Sequence, residues 1–157
     1  YHILKTQGVD VALTRSADVF VGLSDRAKYA NSLNASLFIC IHNNSATIDT
    51  ANGTMTFFYN SGEDTSVEDA YGLSSKKLAQ IIQKEMVEHG GRYDRGIVDG
   101  SRLVVLNSTK MPAVLLECAF LSNNEERELL KEDSFRQSIA EGIADGVIDA
   151  LKIMGKR

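Results

Sequence analysis

"SLFICIHNNS", residues 36–45, decides the fold. Its first part is apolar on nearly every residue, the pattern of a strand covered on both faces rather than one with a wet side. Strands of that kind belong to a mainly parallel sheet flanked by helices. There, ligands collect beyond the carboxyl ends of the strands. The run ends in His42, with Asn43 and Asn44 beside it. A second such run, "AVLLECAF" at 113–120, carries Glu117 near its end, with Leu121, Ser122 and Asn123 directly after.

Outward from these two runs, strands and helices alternate. "VDVAL" (9–13) reads as a strand after a helix end closed by Gly8. Ser24 is a candidate N-cap for a helix with Leu23, Ala27, Ala30 and Leu33 on one face. "TMTFFYN" (54–60) and "RLVVL" (102–106) have strand composition. A helix over about 71–89 carries the stripe Leu78, Ile81, Ile82 and Met86, and Gly90 and Gly91 stop it. A short acidic helix lies in "LSNNEERELLKED". The last helix starts near Ser134 with Phe135, Ile139, Ile143, Val147 and Leu151 on one side. The expected architecture is α/β: a twisted, mixed, mainly parallel sheet with helices on both faces. All of 1–157 forms one domain. The chain opens inside a helix with no start signal, so an N-terminal segment is expected to be missing.

Bulk composition narrows the function classes. A chain of 157 residues with 43% hydrophobic and 24% charged residues suits one buried core. A net charge of −4 with no run of one sign argues against a nucleic-acid surface. No apolar stretch is long enough to span a bilayer, and no signal peptide opens the chain. Cys40 and Cys118 lie inside apolar runs and read as small buried hydrophobes.

Two residues attract chemistry. A carboxylate inside an apolar run is costly to bury unless it is paired or keeps its proton. Glu117 is therefore either a structural carboxylate bonded to an arginine or amide, or a general acid and base with a raised pKa. His42 is either a bonded rim histidine or a metal ligand. His2 and His89 are expected to face solvent, His89 favouring the negative end of its helix. There is no G-x-S-x-G elbow and no Gly-rich phosphate loop. Cys40 shares a strand face with His42, but residues two apart on a strand project side by side, which disfavours a thiol–imidazole pair.

Taken in order, "LTRSADVFVGLSDRAKYAN", "SLFICIHNNS", "RGI" and "VLNSTKMPAVLLECAFLSNNEE" resemble the zinc-dependent N-acetylmuramoyl-L-alanine amidases of the amidase-3 type. The resemblance covers nearly the whole chain. It departs at Cys40, where Ser is commoner, and at Cys118-Ala119. It implies a twisted sheet of about six strands, the first of them absent here. It implies one Zn²⁺ held by two histidines and a glutamate, with His42 matching the second histidine and Glu117 matching a catalytic glutamate. It further implies peptidoglycan as substrate, an extracytoplasmic, wall-associated place of action, and hydrolysis of the amide between the lactyl group of N-acetylmuramic acid and L-alanine. Asn43 and Asn44 are candidates for substrate contact or for a loop-capping turn. Arg15, Asp18 and Arg26 are expected to be structural, in a buried ion-pair or capping network that orients the loop. The other two zinc ligands belong to a Gly-His-Gly segment and a following helix that this chain lacks. An inactive amidase-like module that binds muropeptide or regulates an amidase is the alternative.

Overall fold

The computed structural model describes residues 1–156. Four strands, β1 (Phe38–Asn44), β2 (Thr54–Phe58), β3 (Asp94–Asp99) and β4 (Ala113–Phe120), form one sheet in the order β1-β4-β2-β3. β1 pairs parallel to β4 and β2 parallel to β3, while β2 and β4 are antiparallel. The sheet is thus mixed and mostly parallel, as the two apolar runs predicted. β4, buried at every residue but Glu117, sits between two neighbours. Its full run of apolar side chains is the consequence of having both faces covered.

Helices close both faces. On one side lie α4 (Ser75–Gly90) and α7 (Asp133–Ile153), which pack on each other and bury Leu78, Ile82, Met86, Phe135, Ile139, Ile143 and Val147 against Val114, Leu116 and Cys118. The predicted stripes of both helices hold, with Ile81 only half-buried. α7 can lie close because two of its residues lack a Cβ. A Cβ on Gly142 would fall 2.6 Å from the Glu85 carbonyl oxygen, and one on Gly146 would fall 2.9 Å from Ile82 Cα. On the other side, α2 (Leu23–Ser32) and the single turn α5 (Val104–Asn107) bury Ala30, Val105 and Leu106 against Phe38, Cys40, Ala113 and Leu115. Two short helices complete the set, α1 (His2–Thr6) and α3 (Ser66–Tyr71), together with α6 (Asn124–Leu129) after β4. No helix among the described residues is long and apolar enough to cross a membrane.

Several sequence expectations need correction. The sheet has four strands rather than about six. Residues 9–13 pair with no strand and run as coil, with Leu13 exposed; extended backbone without a ladder partner is not a strand. "RLVVL" is not a strand, since Val104–Asn107 form α5, whose Val105 and Leu106 fill the gap beside α2. The strand lies just before it, at Asp94–Asp99, where the sequence showed only a helix stop. β3 is an edge strand with exposed Asp94 and Arg95, the polar character that protects a sheet edge. Gly96, at φ +73°, marks a register shift against β2, where Thr54 faces Asp94 but Thr56 faces Ile97. The helix expected over about 71–89 is α4, which starts later, at Ser75, and a separate short helix, α3, precedes it. Gly72, at φ +72°, ends α3, and Ser74 caps α4 by accepting the Lys77 N–H. α2 has Gly22, not Ser24, at its N-cap, and Leu23 and Leu33 are exposed.

The end of β4 is anchored by a side chain that sequence reading passed over. Glu126 on α6 is 1% exposed. Its Oε1 accepts the Gly53 N–H at 2.8 Å and its Oε2 accepts the Phe120 N–H at 2.7 Å. One carboxylate thereby ties the entry of β2 to the exit of β4. Glu126→Ala leaves two backbone donors without their acceptor and is expected to lower unfolding stability by about 3 kcal/mol. Urea denaturation checks this. Glu126→Gln, which keeps one acceptor oxygen, should lose less, and the exposed Glu125→Ala less than about 1 kcal/mol.

Candidate functional site

The sheet register builds a row of side chains. His42 on β1 lies opposite Glu117 on β4, which in turn lies opposite Met55 on β2. Directly opposed residues share a sheet face, and adjacent strands are about 4.8 Å apart. The next row down is Cys40, Leu115 and Phe57, and below that Phe38 meets Ala113. The lower rows are apolar and covered by α2 and α5. The top row emerges past those helices at the carboxyl ends of the two parallel strands β1 and β4. Strand alternation thus turns an apolar core into a polar floor within one step.

Glu117 feels that transition. It is half-buried, and its Oε2 is buried with no hydrogen-bond partner. Desolvation pushes its pKa up from 4.5 to about 7. Its backbone is held independently, since the Thr54 hydroxyl donates to the Glu117 carbonyl at 3.0 Å. His42 is exposed, and its imidazole has no bonding partner among the described residues. Beyond this pair the ladder slips: Asn44 faces Phe120, so two steps along β1 match three along β4. Such irregularities re-aim side chains at a strand end. The buried thiols take no part. Burial pushes Cys40 up to about 11 and Cys118 to about 12, far from the thiolate form.

The two asparagines differ. Asn44 is committed inside the protein: its Nδ2 reaches Met55 Sδ at 3.6 Å, its Oδ1 accepts the Ser45 N–H, and its carbonyl accepts the Leu121 N–H at 2.7 Å. Asn43 is exposed, and alternation turns it to the face opposite His42. Ser122 and Asn123 hold the loop after β1, Ser122 Oγ accepting the Ala46 N–H and Asn123 Nδ2 donating to the Asp49 carbonyl. Of the expected ion-pair or capping network of Arg15, Asp18 and Arg26, no buried ion pair forms, while Arg15 and Arg26 cap the loop by donating to the Val19 and Val21 carbonyls. Arg15 and Asp18 meet only at 4.0 Å with Asp18 fully exposed. These segments lie at the surface, where charges gain little by pairing.

His89 also differs from expectation. It is half-buried against α7, and its Nε2 lies 3.3 Å from Asp145 Oδ2. With Glu85 the two form a group of three possible metal donors within 4.8 Å of one another. α4 and α7 cover the sheet face opposite the His42–Glu117 row.

Comparison with known proteins gives the family. Residues 1–149 match the family model described as N-acetylmuramoyl-L-alanine amidase, of the amidase-3 type. The chain belongs to that family. It is 40% identical over 148 residues to the endolysin of Bacillus phage SPP1, covering 94% of this chain and 52% of that protein. It is 34% identical over 145 residues to N-acetylmuramoyl-L-alanine amidase LytC of Bacillus subtilis, covering 92% of this chain and 27% of LytC. The chain thus spans about half of one curated relative and about a quarter of the other. The catalytic domain of CwlV, an N-acetylmuramoyl-L-alanine amidase from Bacillus (Paenibacillus) polymyxa, superposes with a TM-score of 0.85 at 38% identity, covering 97% of this chain and 78% of that one.

Sequence reading singled out His42 and Glu117 but missed Met55 as the third member of their row. The alternation of Met55 with Phe57 was the available signal. The raised pKa of Glu117 has a measurable consequence in chelator-treated protein. Between about pH 4.5 and 7 the folded state keeps a proton that the unfolded chain has released. Stability therefore falls as pH rises through that window and levels off above it. Glu117→Gln should remove this slope and leave the variant more stable than the parent at pH 8, as read from urea midpoints against pH.

Proposed function

We propose that this chain carries the hydrolytic centre of a peptidoglycan amidase, cleaving the amide between the lactyl group of N-acetylmuramic acid and the L-alanine of the stem peptide. The observation that carries the reading is the pairing of an unpartnered imidazole with a carboxyl of pKa about 7 at adjacent strand ends. Membership of the amidase family supports the substrate class. Action on peptidoglycan implies a place of work outside the cytoplasm, at the cell wall.

The donor chemistry suits zinc in part. His42 offers an exposed imidazole with no partner among the described residues, and Glu117 stands opposite it in the register with its Oε2 buried and unpartnered. His42 would serve as one ligand. When bound, zinc supplies a water of lowered pKa and polarises the scissile carbonyl. Glu117 performs the proton work. Half-desolvated and poised near neutrality, it takes a proton from the attacking water and returns one to Nα of the departing L-alanine. A carboxylate at the ordinary 4.5 would be a weaker base and a less available acid. Asn44 is a positioning residue, locking the end of β1 to Met55 and Leu121. Asn43 presents an exposed amide on the other face of the edge strand β1 from His42, so its contact with substrate lies around the strand's edge rather than in the row.

A second reading, a catalytically inactive module that binds muropeptide or regulates an amidase, also has an observation behind it. Among the described residues the row unites one imidazole and one carboxyl, fewer than the three protein donors of a catalytic zinc site. One experiment separates the two. Zinc-supplemented protein is incubated with purified peptidoglycan, and newly freed L-alanine amino groups are counted by N-terminal labelling. The amidase reading expects release, lowered about 10²–10⁴-fold by Glu117→Gln without loss of fold, and lost in His42→Ala. Retained muropeptide binding with no amine released, and no difference between parent and Glu117→Gln, would leave the binding module standing instead.

A further inference from the structure

We infer that Glu85, His89 and Asp145 form a second metal-binding site, specific for a divalent transition ion of the zinc class, that clasps α4 to α7 on the far side of the sheet from His42 and Glu117. Glu85 and His89 are four residues apart on α4 and so share one face of it. Asp145 comes from α7. One ligand atom from each of the three lies within 4.8 Å of the others, and His89 Nε2 stands 3.3 Å from Asp145 Oδ2. One imidazole and two carboxylates make a borderline donor set with room for water. That chemistry suits zinc and its neighbours better than calcium or magnesium, which take oxygen alone.

The site sits at the rim of the helix crossing, with its two α4 donors partly buried and the Asp145 side chain 51% exposed on α7. The two backbones approach closely where Gly142 meets the Glu85 carbonyl and the His89 Cβ. The Ser138 hydroxyl donates to the His89 carbonyl at 2.6 Å, fixing the C-terminal end of α4 against α7. Glu85 is mostly buried, its side chain 16% exposed, and His89 is 29% exposed. Both donors on α4 are thus held by packing before any ion arrives. Lys84 Nζ lies 2.9 Å from Glu85 Oε1 and 3.3 Å from Glu88. The lysine is itself exposed, so an arriving cation can displace it toward Glu88.

The test is zinc titration by calorimetry on the His42→Ala variant, which leaves the row outside the measurement. One ion per chain is expected, with affinity at least tenfold weaker in His42→Ala carrying His89→Gln or Asp145→Asn. A zinc-dependent rise in Tm, present in His42→Ala, should vanish in the same two double variants, since an ion that joins the helices stabilises only the folded state. His89→Gln keeps the Cβ that packs on Gly142, so circular dichroism should report an intact fold. No zinc binding by folded His42→Ala, or binding unaltered by both substitutions, would overturn the site and leave His89 and Asp145 as an ordinary pair across a helix crossing.

Discussion

The parallel pairing of β1 with β4 is the constraint on which the rest of this structure depends. A parallel ladder fixes which residues face each other, and here it puts His42 beside Glu117. A slip of one residue would send one of them to the opposite face and dissolve the row. The register is enforced from below, where Cys40 meets Leu115 and Phe38 meets Ala113 under α2 and α5. Apolar burial on two faces is what makes β4 immovable. The polar row inherits its precision from an apolar core it does not belong to.

The same geometry explains the electrostatics. Glu117 occupies the first position where the apolar rows give way to open space, so it is partly dry yet accessible. A residue deeper in the strand would be neutral at any useful pH. One further out would be an ordinary exposed carboxylate. Thr54 and Glu126 hold the surrounding backbone without touching the Glu117 carboxyl, which leaves Oε2 unpaired. An unsatisfied buried oxygen costs stability, and its persistence beside an unpartnered imidazole is the physical reason to read the row as functional.

Much of this was legible in the sequence. The two continuous apolar runs located β1 and β4, although only β4 is interior to the sheet and covered on both faces, β1 being an edge strand with Ile41 exposed. The 3.6-residue stripes of α4 and α7 located the helices that cover one face. His42 and Glu117 stood out because polar residues at the ends of such runs are expensive. Other features were not legible, for identifiable reasons. β3 is a polar edge strand interrupted at Gly96, so it carries no apolar alternation. α5 is a single turn whose helicity comes from packing against α2, which no four-residue window contains. Glu126 looked like one acid among several in a surface helix, and only the folded backbone shows the two amides it serves. The meeting of His89 with Asp145 depends on a helix crossing between residues 56 positions apart.

The most direct test of the central claim is anomalous scattering from crystals of this protein grown with zinc. The account predicts a peak about 2.0–2.1 Å from an imidazole nitrogen of His42, on the sheet face that carries Glu117. A zinc-replete crystal with no density at His42, and with the Glu117 carboxylate bonded to protein groups alone, would contradict it.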